Sequence, residues 1–195
     1  MGRIVFRNKG ITLIELLVVL VISSILLGAL YQTFIRQQKS YAVQEQVVEA
    51  QQNIRIAMDT IVRYVRMAGY DPLRTGQFGF QAGTGPNSIM FRIDFNENGA
   101  FTADEQIGFR LDSINLQRWV TNQWQPMVDN IESLSFLYTL SNGTTTSSPA
   151  NLADIRMVRV AIRARTSILD PELGSGGGYR RRELTSLIKV RNLGI

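Results

Sequence analysis

The pattern of apolar and polar positions divides the chain into three stretches. Residues 11–30, ITLIELLVVLVISSILLGAL, are apolar almost without a break, and Glu15 is their one ionisable side chain. A run of that length can cross a hydrocarbon core as a helix. From Ala42 to Ala68 the apolar positions become periodic. Ala50, Ile54, Ala57, Ile61, Val65 and Ala68 recur at three- and four-residue steps, while Gln51, Gln52, Arg55, Asp59, Arg63 and Arg66 fall largely on the other side. That spacing predicts an amphipathic helix whose stripe needs a partner. No Pro or Gly intervenes between Leu30 and Ala68, so the two runs predict one long helix ending at Gly69-Tyr70-Asp71-Pro72.

Beyond Pro72 the period changes to two. Ile89, Phe91 and Ile93 alternate with Met90, Arg92 and Asp94, and Ile107, Phe109 and Leu111 with Gly108, Arg110 and Asp112. Further strands are expected around 114–120, 131–140, 155–165 and 184–191. One long helix followed by a run of strands predicts an α+β fold with an antiparallel sheet. Two polar connections, SNGTTTSSPAN at 141–151 and DPELGSGGGY at 170–179, have the composition of surface loops. The second lacks the Gly-Lys-Ser/Thr ending of a phosphate loop and precedes a strand pattern, which argues against a nucleotide site.

Composition narrows the chemistry. The 195 residues contain no Cys and no His. This removes disulfides, thiolate nucleophiles, imidazole bases and ordinary transition-metal sites. The acid pairs Asp104-Glu105 and Asp170/Glu172 could in principle do acid–base work, but exposed loops explain them more simply, and no catalytic residues are expected. Lys and Arg total 21 against 16 Asp and Glu, a formal charge of +5. Arg3, Arg7 and Lys9 precede the apolar run with no acid among them, which predicts a cytoplasmic N-terminus and an exported body. A cleaved secretory signal is the alternative, but the run exceeds a usual signal core and no small-x-small site closes it.

Glu15 stands out, because a carboxylate at the centre of a membrane helix costs roughly 2.5–3.5 kcal/mol and less near an interface. The stretch Lys9-Gly10-Ile11-Thr12-Leu13-Ile14-Glu15-Leu16-Leu17-Val18-Val19 resembles the class III signal of type IV pilins and pseudopilins. That signal has a short basic leader ending in Gly, a hydrophobic residue after the cut, and Glu as the fifth residue beyond it. The commonest residue after the cut is Phe; here Ile11 takes its place. The resemblance implies that prepilin peptidase cuts between Gly10 and Ile11 and methylates the new amine. It also implies that Glu15 counters the N-terminal charge of a neighbouring subunit.

Four further segments look like the PilW-type minor pilins, a group near the J-type minor pseudopilins of type II secretion. They are IRIAMDTIVRYVRMAGYDP, LQRWVTNQWQPMVDNIESLSFLYTL, DIRMVRVAIRART and RRRELTSLIKVRNL. The implied organisation is a leader at 1–10, a transmembrane and assembly helix at 11–35, and an exported pilin-like domain at 36–195 that includes the second half of the helix, 36–69. The implied protein is a single-pass inner-membrane subunit with a periplasmic domain, which then enters a surface fibre. Its implied partners are major and minor pilins, prepilin peptidase and the inner-membrane assembly platform, and its role is to initiate or cap a pilus. A J-type pseudopilin and a pilus-tip subunit that binds DNA or another ligand are the alternatives.

Two patches carry other expectations. Residues 94–105, DFNENGAFTADE, fit the calcium-loop pattern D-x-[DN]-x-[DN]-G-x5-E. Asp94, Asn96 and Asn98 would supply side-chain oxygens, Gly99 the turn, Ala100 a carbonyl, Thr102 a direct or water-mediated ligand and Glu105 a bidentate carboxylate, with Asp104 adding charge. Asn-Glu-Asn-Gly is also strong hairpin chemistry, and the strand-like flanks are not those of an EF-hand; a hairpin stiffened by Ca²⁺ accommodates both readings. Residues 156–195 hold nine basic and three acidic side chains. Arg159, Arg163 and Arg165 share one strand face opposite Val158, Val160 and Ile162, and Arg180, Arg181 and Arg182 follow, forming a patch for an acidic partner subunit or for nucleic acid. Leader removal would leave 18 basic side chains against the same 16 acids, which weakens the case for nucleic acid.

Overall fold

The computed structural model describes residues 10–170, 173 and 177–192. The leader cations Arg3, Arg7 and Lys9, and Glu172 of the second acid pair, lie outside the described residues. One helix, α1, runs from Leu13 to Met67 without interruption, as the absence of helix breakers predicts. By contacts the chain divides into two compact units, Met1–Gln44 and Glu45–Ile195.

In the first unit every large apolar side chain from Ile11 to Leu30 leaves more than half of its surface exposed. This part of α1 is long and apolar enough to cross a membrane. In the second unit α1 buries Ala50, Ile54, Ala57, Met58, Ile61 and Val65, the expected stripe with Met58 added. Ala68, just past the helix end, is also fully buried. Gly69 follows with φ +74° and donates its amide to the Arg92 carbonyl, so the left-handed residue that stops the helix also ties it to the sheet.

The strands are β1 (Gly79–Phe80), β2 (Ser88–Arg92), β3 (Gln106–Asp112), β4 (Asn115–Val120), β5 (Gln123–Val128), β6 (Ile131–Leu140), β7 (Thr145–Thr146), β8 (Ile155–Arg165) and β9 (Arg181–Lys189). They form two antiparallel sheets rather than one, in the orders β1-β2-β3-β4-β5 and β7-β6-β8-β9. The two sheets and the Glu45–Met67 part of α1 share one apolar core, which includes Phe91, Phe109, Phe136, Tyr138, Ile162 and Ile188. Tyr138 on β6 donates to the Gly85 carbonyl at 2.8 Å, and Phe136 donates its amide to the Pro86 carbonyl, so the β1–β2 connection fastens one sheet to the other.

Strands β1, β5 and β7 were not expected. β1 and β7 are two residues long, too short to show a period. β5 contains Pro126, which argues against a central strand, and it lies at the edge of its sheet beside a register shift between Leu116 and Gln117. Its signal was in the sequence nonetheless. Thr121 and Asn122 take φ +46° and +62°, a tight turn between Val120 and Gln123, and Trp119 faces Trp124 edge-on at 5.2 Å.

Candidate functional site

The residues expected to flank the processing cut sit ahead of the helix. Gly10 and Ile11 are exposed and outside regular structure, with open space around the Gly10 Cα. The start of α1 at Leu13 leaves the Gly10–Ile11 bond outside the helix. Thr12 occupies the N-cap position: its hydroxyl accepts the Glu15 amide at 3.3 Å, and the Glu15 carboxylate accepts the Thr12 amide at 3.5 Å. This is a capping box, which satisfies amides that the first turn leaves open and places an anion at the positive end of the helix. Thr12 is a functional residue beyond those expected from the prepilin signal, and Thr-Leu-Ile-Glu before an apolar run is the sequence signature of its cap. Glu15 therefore has a local partner within its own chain, in addition to the intersubunit role that the resemblance implies.

Residues 93–105 connect β2 to β3, which pair antiparallel with Arg92 opposite Gln106. The loop is organised by its own side chains. Asp94 Oδ2 accepts the Gly99 amide at 3.0 Å, Asn96 Oδ1 the Asn98 amide at 3.0 Å, and Asn98 Oδ1 the Ala100 amide at 2.7 Å. Gly99 has φ +72°, and a Cβ there would meet the Thr75 and Leu73 side chains at 2.8 and 3.0 Å, so any other residue would be strained. A short 3₁₀ turn, Ala103–Glu105, closes the loop, and Glu105 Oε2 accepts both the amide and the hydroxyl of Thr102 at 2.8 and 2.9 Å. Asp104 is exposed, but Asp94 and Glu105 are both fully buried, which for Glu105 departs from the expectation of a surface-loop acid. Among the described residues no cluster of three or more His, Cys, Asp or Glu gathers at one point.

The loop is joined to the end of α1. The Tyr70 hydroxyl donates to Glu97 at 2.8 Å, and the Asp94 amide donates to the Tyr70 carbonyl. The Glu97 carboxylate, through this hydrogen bond and its charge, raises the Tyr70 pKa above the ordinary phenol value. At Asp71 burial pushes the pKa up, but hydrogen bonds from the Thr75, Gly76 and Arg74 amides and the Thr75 hydroxyl outweigh it and leave the carboxyl below its ordinary range.

The basic residues of the C-terminal part are dispersed and largely partnered. On β8, Arg159, Arg163 and Arg165 alternate with the buried Val158, Val160, Ile162 and Ala164, as the period predicts. Arg163 pairs with Glu183 at 2.8 Å, Arg181 reaches across β8 to Glu132 on β6 at 2.7 Å, and Arg180 meets Asp170 at 2.6 Å. Asp170 is buried and exchanges two backbone hydrogen bonds with Gly178, so the long β8–β9 connection is pinned at its base. Arg165 stacks over Tyr179 at 4.1 Å. Among the described residues Arg159 and Arg182 make no ion pair. Of what the sequence presents as a run of cations, Arg163 and Arg181 tie strand to strand and Arg180 pins the β8–β9 connection.

A family model described as the prokaryotic N-terminal methylation motif matches residues 6–31, covering the Gly10–Ile11 junction and the capped start of α1. A second, described as prepilin peptidase-dependent protein B, matches residues 43–184, from the amphipathic part of α1 into β9. The chain belongs to the prepilin peptidase-dependent protein B family. Neither curated proteins nor solved structures gave a significant match.

The chain is thus a prepilin-like protein of type IV pilus type: a methylation-motif helix followed by an α+β domain built on antiparallel sheets. The families concerned are pilin-type structural proteins rather than enzymes, and membership implies association with other pilins and the assembly machinery. The exposed apolar helix and the prepilin motif fit a subunit anchored in the inner membrane.

Proposed function

We propose that this chain is a PilW-type minor pilin, cut after Gly10, whose Ile11–Leu30 helix holds it in the inner membrane and then packs among sister helices as a pilus is initiated or capped. One observation carries the reading: a processing motif stands directly before a helix whose apolar side chains are exposed along its whole first part, while the same helix later buries a stripe in its own domain. An exposed apolar helix of that length is stable in lipid or against other apolar helices and not in water. Entry into a fibre exchanges the first environment for the second. Glu15 then meets the methylated amine of a neighbour, which compensates a carboxylate in an apolar bundle.

Two measurements test this. Mass spectrometry of the membrane protein should find Ile11 as the mature N-terminus; any other start overturns the reading. Deleting the chain from its host should sharply reduce surface fibres, and sheared fibres from the wild type should contain it at a small fraction of the major subunit. Normal piliation with impaired protein secretion would instead assign it to a secretion pseudopilus.

A further inference from the structure

We propose that the loop Asp94–Glu105 binds a calcium ion, a function independent of the assembly role above. Sequence spacing alone does not carry this, since Asn-Glu-Asn-Gly serves any hairpin. The burial of charge does. Asp94 and Glu105 are fully buried, and each leaves one carboxylate oxygen, Asp94 Oδ1 and Glu105 Oε1, inaccessible to solvent and without a hydrogen-bond partner. Neither forms an ion pair among the described residues. The nearest cation in sequence, Arg92, is committed elsewhere, stacked on Phe101 at 3.8 Å and donating to the Gln77 carbonyl. A desolvated carboxylate oxygen with no partner is costly, and a bound cation is the ordinary remedy.

The rest of the loop supplies further oxygens, held by its own hydrogen bonds. The two unpartnered oxygens belong to the first and last residues of the loop. The three early acceptors, Asp94, Asn96 and Asn98, are each already held by a backbone amide of the loop, which fixes their carbonyl and carboxylate oxygens in place. Gly99 supplies the left-handed turn, and the Thr102–Glu105 contacts fix the closing carboxylate. Oxygen-only donors with no nitrogen or sulfur suit a hard cation, and the number available with water suits Ca²⁺ better than the octahedral Mg²⁺. With two carboxylates among the donors, affinity belongs in the range of extracellular calcium modules, a Kd of about 10⁻⁴–10⁻³ M. Through Tyr70–Glu97 and the packing of Gly99 against Leu73 and Thr75, the ion would brace the β2–β3 connection against the segment that leaves α1.

The test uses the full chain in detergent after chelator treatment, titrated with calcium chloride by calorimetry and by thermal unfolding. Binding heat and a rise in Tm are expected in the millimolar range, with magnesium chloride giving a smaller response. Asp94→Asn and Glu105→Gln keep size and hydrogen bonding but remove a charge. Each should weaken calcium binding by about tenfold or more while being no less stable than wild type without calcium, since a buried unpaired charge has gone. Asp112→Asn, an exposed acid beyond the loop, should titrate as wild type. No heat and no Tm shift in millimolar calcium would overturn the proposal. So would variants that are destabilised equally with and without calcium, which would make the two carboxylates purely structural.

Discussion

At the scale of single residues, Glu15 combines two jobs that different substitutions separate. Its carboxylate closes the Thr12 capping box, and its charge is what a neighbouring amine would meet. Glu15→Gln retains an acceptor for the Thr12 amide and loses the charge; Glu15→Ala loses both. If intersubunit pairing governs assembly, both variants insert and are processed normally but are depleted from sheared fibres to a similar extent, as immunoblots of membrane and fibre fractions would show. A glutamine variant that assembles like wild type would leave the cap as the only role. Tyr138 illustrates the opposite case, a polar atom wholly inside the core. Burial pushes its pKa far above the ordinary phenol value, so it remains a neutral donor to Gly85. Tyr138→Phe leaves that carbonyl short of a donor and should lower stability by about 1–2 kcal/mol, measured by urea unfolding of the detergent-solubilised chain.

At the scale of elements, the helix stripe and the strand ties respond to different perturbations. Ile61 is fully buried between α1 and the sheets, and Ile61→Ala should cost about 2–5 kcal/mol through lost burial and a residual cavity. Arg63, two positions on and exposed, should tolerate Ala within about 0.5 kcal/mol. The Arg181–Glu132 bridge joins β9 to β6 across β8 and is sensitive to acid. The Arg181 hydrogen bonds lower the Glu132 pKa, against an opposing push from burial. A lowered folded-state pKa means that the unfolded chain binds the proton more readily. The stabilisation is therefore present above the ordinary Glu value of about 4.3 and is lost as pH falls through the lower folded value. Urea midpoints compared between pH 7 and acid should fall less for Glu132→Gln than for wild type.

At the scale of the whole molecule, the charge that first suggests nucleic acid is rearranged twice. Removal of Arg3, Arg7 and Lys9 with the leader would take away three of the 21 basic side chains. Folding then pairs Arg163, Arg180 and Arg181 with Glu183, Asp170 and Glu132, and stacks Arg165 on Tyr179. Phosphate binding needs cations that are available together, so the processed protein should show no appreciable salt-dependent retention of duplex DNA in gel-shift assays. Tight, salt-sensitive binding would favour the pilus-tip ligand reading instead.

Local physics made several features legible from the sequence alone. Helical period, the absence of breakers and the buried stripe from Ala50 to Ala68 depend on neighbours three or four residues apart, and the prepilin signal is contiguous. The alternation on β2, β3, β6 and β8 likewise marks which face is apolar. The capping box and the Trp119–Trp124 hairpin were equally local and could have been read from Thr12-x-x-Glu15 and from the Thr121-Asn122 turn. Tertiary structure alone decided the rest. The division into two sheets, the two-residue strands β1 and β7, and the pairing of Arg181 with Glu132 depend on registers between segments far apart in sequence. The burial of Asp94, Glu105 and Asp170 was not legible either: each lies in a segment whose composition reads as loop, and folding withdrew its carboxylate from water. The apolar run determined which segment is long and apolar enough to anchor the protein; the fold determined which of its charges remain available to a partner.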